Sequence, residues 1–252
     1  VEQKKNPAFT LVGNDRIHPG PIGHFVMAYA FLKAQALPRF VAQISLSSTG
    51  KIIQSENCTI SRVTTSATGI EFDCREQALP LVVPDDAKPA LQLVPFIEDF
   101  DQEPLQISGL ADGTYVLKID NQVVGEYAAA DLAKGINLAE NPKTPEYAQG
   151  AQATKINTER TRLAARWRDI VAQVYSMSRA KIDVLDPTSL AKAIEEKEEQ
   201  ATKAGKPLDA RLQAIKQELA GPGMIEKDYA VLSAELVRAC QPIGHHFALA
   251  KK

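Results

Sequence analysis

Apolar positions along the chain change period more than once. Between residues 22 and 32 they fall at Ile22, Phe25, Val26, Tyr29 and Leu32, three and four residues apart, which is one face of a helix. Pro21 suits its first turn, where an N–H would lack an intrahelical partner in any case, and Pro38 closes it. From 41 to 127 the pattern shortens. The runs 41 to 46, 51 to 54, 58 to 64 and 69 to 74 are β-branched and separated by Ser, Thr, Gly and Asn, so they predict strands, with a hairpin turn at Ser66-Ala67-Thr68-Gly69. The runs 105 to 108, 114 to 119 and 123 to 127 extend the series, the last two joined by Asp120-Asn121. Together they predict a small antiparallel unit, and the proline-bearing stretch from 79 to 104 reads as a surface connection with one or two short strands.

Beyond Ala128 the period returns to that of a helix. Ile156, Leu163, Trp167, Ile170, Val174 and Met177 form a near-heptad stripe, predicting a helix of roughly twenty-five residues that buries that edge. Asp186-Pro187 is a cap followed by a first-turn proline, and it predicts a second helix that stops near Gly205. The segments 208 to 219 and 224 to 240 give two more, punctuated by Gly221-Pro222-Gly223. The expected fold class is therefore α+β. One strand and one helix of an α/β domain occupy 1–38, an antiparallel β unit 39–128, and a helical region 129–252.

Composition narrows the function classes. With 252 residues, 44% of them hydrophobic, the chain can bury real cores, and a net charge of −2 offers no general attraction to nucleic acid or an anionic membrane. No run approaches the roughly eighteen apolar residues of a membrane span. Three cysteines, Cys58, Cys74 and Cys240, permit at most one internal disulfide and lack metal-ligand spacing. Cys58 and Cys74 flank the predicted hairpin, and both a bridge and a pair of buried thiols are compatible with that position.

The chemistry-bearing stretch is Asp15-Arg16-Ile17-His18-Pro19-Gly20. An Asp three residues before a His can reach the Nδ1 proton when the loop turns, leaving Nε2 free to take a proton from a nucleophile. Free imidazole titrates near pH ~6.5, so a base of this kind needs little tuning near neutrality.

The longer stretch Gly13-Asn14-Asp15-Arg16-Ile17-His18-Pro19-Gly20-Pro21-Ile22-Gly23-His24, followed by Met27-Ala28, resembles the last motif block of the SGNH (GDSL-like) ester hydrolases. The match runs from Phe9 to about Leu37. It implies that 1–38 is the end of an SGNH-type α/β domain, with His18 the general base of a Ser-His-Asp triad and Asp15 its orienting carboxylate. It implies no cofactor and no metal. The substrate would be a small acyl ester or an acetylated carbohydrate. The family's G-D-S nucleophile motif, and the Gly and Asn that complete its oxyanion hole, have no counterpart here. The chain also opens without an initiator Met. The expectation is the C-terminal part of a longer protein, inactive alone, whose missing N-terminal part supplies the serine. No signal peptide is visible, and a parent of this kind is expected to be secreted or periplasmic. The stretch from Gly109 to Ala139 bears a looser resemblance to the C-terminal extension of some bacterial SGNH hydrolases.

Other polar groups have plainer readings. His24 falls early on the predicted helix, as a structural hydrogen-bonder. His245-His246 reads as part of an exposed tail, and Asp99 with Asp101 as solvated acids in a loop. Lys155, Arg160, Arg162, Arg166, Arg168, Arg179 and Lys181, interrupted by Glu159 and Asp169, read as a solvated face, as does Glu195-Glu196-Lys197-Glu198-Glu199. Two rival functions stand beside hydrolysis. One is a non-catalytic glycan- or protein-binding module with a relic D-x-x-H loop, although aromatics are only 6% of the chain and do not cluster into a platform. The other is a structural extension that shields a sheet edge or forms a lid.

Overall fold

Period-two alternation over 69 to 76, 104 to 108 and 114 to 119 buries every second side chain, and in a computed structural model of the protein the expected strand runs lie near their expected places. The structure describes residues 2–7, 9–12, 17–221 and 224–252. The fold is α+β. In chain order the elements are α1 (Glu2–Lys5), α2 (Pro21–Ala34), β1 (Gln43–Ser47), β2 (Ile52–Glu56), β3 (Cys58–Thr65), β4 (Gly69–Glu76), a 3₁₀ turn (Lys88–Gln92) and α3 (Phe96–Phe100). There follow β5 (Pro104–Ser108), β6 (Thr114–Ile119), β7 (Gln122–Ala128), α4 (Ala129–Lys134), β8 (Ile136–Asn137), α5 (Pro145–Arg179), α6 (Pro187–Lys203), α7 (Ala210–Ala220), α8 (Met224–Ala239) and β9 (Gly244–Lys251). Among the described residues no helix is long and apolar enough to cross a membrane.

Two compact units divide the chain, Val1–Gln152 with Ala239–Lys252, and Ala153–Arg238. These divisions differ from the boundaries expected at 38 and 128, because α2 shares an aromatic cluster with the segment before β5. Tyr29, Phe96 and Phe100 are buried there, with Phe25 and Leu32 packed against them. The 79–104 stretch thus carries a 3₁₀ turn and a short helix and is partly core, not a surface connection carrying short strands. Prolines at 84, 89 and 95 break any strand, while Ala90, Phe96 and Phe100 supply apolar anchors.

The first unit holds two sheets. The order β2-β1-β5-β8 is mixed, since β1 and β5 run parallel with Ile44 opposite Leu105, whereas a wholly antiparallel unit was expected. A parallel pair requires a long crossover, and residues 48–103 provide it. The second sheet, β3-β4-β9-β6-β7, is antiparallel. Inward residues of both sheets meet in one core that includes Ile44, Leu46, Leu105, Ile107, Phe72, Leu117 and Phe247.

The C-terminal strand departs most from the helical reading of 129–252. β9 lies between β4 and β6, its alternate residues His245, Phe247 and Leu249 pointing inward. Phe247 stands opposite Phe72, and the two rings stack with centroids 5.0 Å apart. In the second unit, α6 starts where the sequence predicts, Asp186 accepting from the N–H groups of Thr188 and Ser189. Ile170, Met177, Ile194 and Ile215 are buried there, but Trp167 on the same stripe stays 45% exposed. Phe247→Ala should cost about 3–5 kcal/mol in urea unfolding, the range for truncating a buried aromatic. A tail lying outside the core would lose no more than about 0.5 kcal/mol.

Candidate functional site

The loop that carries the sequence motif is closed at its base and continues into a helix. Val12 and Pro19 form an antiparallel bridge, which brings the two ends of the intervening segment together. Gly20 caps α2 in an extended conformation, and the N–H of His24 makes the helix's first bond to the Gly20 carbonyl at 2.9 Å. At Gly23 the backbone passes so close that an added Cβ would fall 2.0 Å from the Leu11 carbonyl oxygen, so only glycine lets α2 seat against the strand side of the loop. His18 is exposed, as is the side chain of His24. Gly13, Asn14, Asp15 and Arg16 lie outside the described residues, and with them the geometry of the Asp15–His18 pair.

The far end of α2 is pinned by a polar clamp. The Tyr29 hydroxyl donates to Asp99 at 2.6 Å, and the Lys33 ammonium reaches the same carboxylate oxygen at 2.7 Å. Lys33, and then Tyr29, hold the Asp99 carboxyl below the usual range. Asp101 is 2% exposed and accepts from the Leu81 N–H at 2.9 Å, and burial pushes its carboxyl up to about 6. Neither residue is the solvated loop acid expected from sequence.

A second constellation lies at the start of β9, where an exposed tail was expected. His245 is 6% exposed and its Nδ1 stands 2.6 Å from Asp120 in the β6–β7 turn. The other Asp120 oxygen accepts from the His246 N–H at 2.9 Å. On the opposite face, His246 Nδ1 is 2.8 Å from Asp73, which also binds Arg62 at a β-bulge where Arg62 takes a φ of 51°. The two imidazoles border a hollow of about 510 Å³ with Thr59, Ser61 and Arg75. A carboxylate on Nδ1 makes that nitrogen the donor. For His245 the Nε2 is buried without a partner. The pair is built like a base and its orienting acid, but it serves to fix the turn.

Sequence reasoning missed this dyad, and also the buried Glu76, Glu103 and Glu146. A signal was present for two of them. Ile70, Phe72, Cys74 and Glu76 alternate inward along β4, and His245, Phe247 and Leu249 do so along β9. Cys58 and Cys74 are free thiols, and their contact together with burial pushes the Cys74 thiol up.

No family model matches the sequence, and no curated protein does. A solved structure of BT4096, a gut microbial diltiazem-metabolizing enzyme, does match: the TM-score is 0.83 at 31% identity, over 100% of this chain and 59% of that one. The fold described above is therefore shared with part of an enzyme, and the chain spans 59% of that enzyme's length.

Asp120 tests the β9 turn. Burial opposes its charge, but the His246 N–H and His245 outweigh it, so its folded pKa lies below the ordinary value of 3.8. Its contribution is present above that value and fades as pH falls through the lower, folded one. Asp120→Asn should lower unfolding stability at neutral pH by about 1–2 kcal/mol and flatten the acid limb of the stability profile. Equal slopes in both proteins would mean the carboxylate is idle.

Proposed function

We propose that this chain is the C-terminal part of a serine ester hydrolase of the SGNH (GDSL-like) type, acting on a small acyl ester or an acetylated carbohydrate. The observation that carries the reading is the fold shared over the whole chain with part of a drug-metabolizing enzyme, beside a D-x-x-H-P loop closed by the Val12–Pro19 bridge. In this reading His18 takes the proton of a serine supplied by polypeptide outside these 252 residues, then returns it to the leaving alcohol. Asp15 holds the tautomer and stabilises the imidazolium. An acetate ester would thus be cleaved through an acyl-enzyme, which water hydrolyses by the same proton path.

The surface around the loop supports a missing partner surface. Helix α2 is apolar around most of its circumference, a composition usual for a helix covered on all sides. One side meets the Phe96–Phe100 cluster, yet Ile17, Met27 and Phe31 are 72%, 60% and 62% exposed. An α/β domain completed by further strands would cover them.

A binding module is the second reading. In the Ala153–Arg238 unit, Trp167 and Tyr229 border an open hollow of about 370 Å³ with Leu163 and Ile225, the nearest approach to an aromatic platform. Trp167→Ala in the full chain should leave binding to acetylated polysaccharide unchanged if hydrolysis is the function, and remove it if the module reading is right.

In a full-length protein carrying this chain, His18→Ala and Asp15→Asn should each lower turnover of p-nitrophenyl acetate by about 10⁴-fold, as in the serine-protease template, without loss of circular dichroism. Diltiazem, the compound that the similar enzyme metabolizes, is the second substrate to assay. Activity retained in both variants overturns the assignment of the pair.

A further inference from the structure

Three glutamates meet inside the first unit where no catalytic role reaches them. Glu76 ends β4, Glu103 precedes β5, and Glu146 lies in the first turn of α5, at 3%, 0% and 2% exposure. The Glu76 and Glu103 carboxyls act on each other, and Glu146 acts on both. The other groups around them are Cys58 on β3, Cys74 on β4, Asp101 before β5, Asp120 in the β6–β7 turn and His245 on β9. Of these only His245 can carry positive charge, and its Nδ1 is already committed to Asp120.

The glutamates carry most of the bonding deficit. Among the described residues, the buried side-chain atoms left without a hydrogen-bond partner are both oxygens of Glu76, Glu103 and Glu146, Oε1 of Gln149 and Nε2 of His245. The glutamate and glutamine atoms are all acceptors. Gln149 is three residues from Glu146 on α5, and its amide hydrogens are spent on the carbonyls of Ala239 and Gln241 at 2.8 and 2.7 Å. The seam therefore lacks hydrogens. Two ionised carboxylates cannot bond each other, but an acid and a carboxylate can, and a protonated acid also brings a donor to a waiting acceptor. Among the described residues no group of three or more His, Cys, Asp or Glu side chains is arranged to hold a metal ion, so protons are what this geometry accommodates.

We propose that Glu76 and Glu103 share a proton at neutral pH and, with a protonated Glu146, form an acid clasp that joins β4, β5, α5 and β9 and opens as the medium turns alkaline. Burial, and then the neighbouring carboxyls, push Glu76 and Glu103 well above the ordinary glutamate value of 4.5, and burial pushes Glu146 the same way. The folded state then binds more protons than the unfolded one. Stability is greatest at and below a pH of about 4.5 as far as these groups are concerned, and it falls as pH rises from there through their folded pKa values. This is opposite to the dependence at Asp120.

The test uses the intact chain. Each proton held in the folded state lowers the folded-to-unfolded ratio about tenfold per pH unit, so urea midpoints should fall steadily between pH about 6 and about 9. Infrared spectra at neutral pH should show the carbonyl stretch of a protonated carboxyl. Glu103→Gln, which mimics the neutral acid, should flatten the alkaline decline and remove part of that band. A flat or rising profile together with no protonated-carboxyl band in the wild-type protein overturns the proposal, and needs no variant to fold. So does calcium or magnesium raising the midpoint of the wild-type protein but not of Glu103→Gln, which would make the seam a cation site.

Discussion

Strand β9 is bonded along both edges, to β4 on one side and β6 on the other, and the first unit depends on that double pairing. A strand held this way satisfies its own N–H and C=O groups and those facing it on two neighbours, so its removal would expose two inner edges and not one. Its inward side chains do as much again. Phe247 stacks on Phe72 in the shared core, and His245, one step nearer the strand's start, carries the alternation into the polar seam. The same eight residues thus fix the apolar centre of the sandwich and the place where its acids gather.

The two histidine settings differ in exposure. His18 lies exposed on a loop whose base is closed by the Val12–Pro19 bridge, a position open to a substrate or to another surface. His245 has the carboxylate partner that a catalytic base needs, yet its second nitrogen is enclosed. Pairing with an acid is therefore not by itself a mark of catalysis in this molecule. Access is the property that separates them.

Local chemistry made much of the fold legible. Alternation located β1 to β7 within a residue or two, and Asp186-Pro187 announced α6 because capping is a contact between near neighbours in sequence. What stayed hidden is non-local. β9 was obscured because it follows four helices and pairs with residues more than a hundred positions earlier, as in His246 with Asp73, 173 residues apart. The parallel pairing of β1 with β5 has no sequence signal, since parallel and antiparallel strands share one alternation. Glu76, Glu103 and Glu146 were hidden likewise, coming from separate parts of the chain. Of the expected catalytic pair, His18 is described and Asp15 lies outside the described residues, so the sequence motif remains the ground for joining them.

The position of β9 also orders events during synthesis. The Ala153–Arg238 unit is continuous in the chain and has its own buried cluster, so all its parts are synthesised before β9 is made. The earlier unit must wait. Until Gly244–Lys251 emerges, β4 and β6 have a vacancy between them, and closing it spans a long stretch of chain, which slows folding. A nascent chain stalled at that stage would present two unpaired strand edges to other polypeptides, a state that chaperones commonly guard.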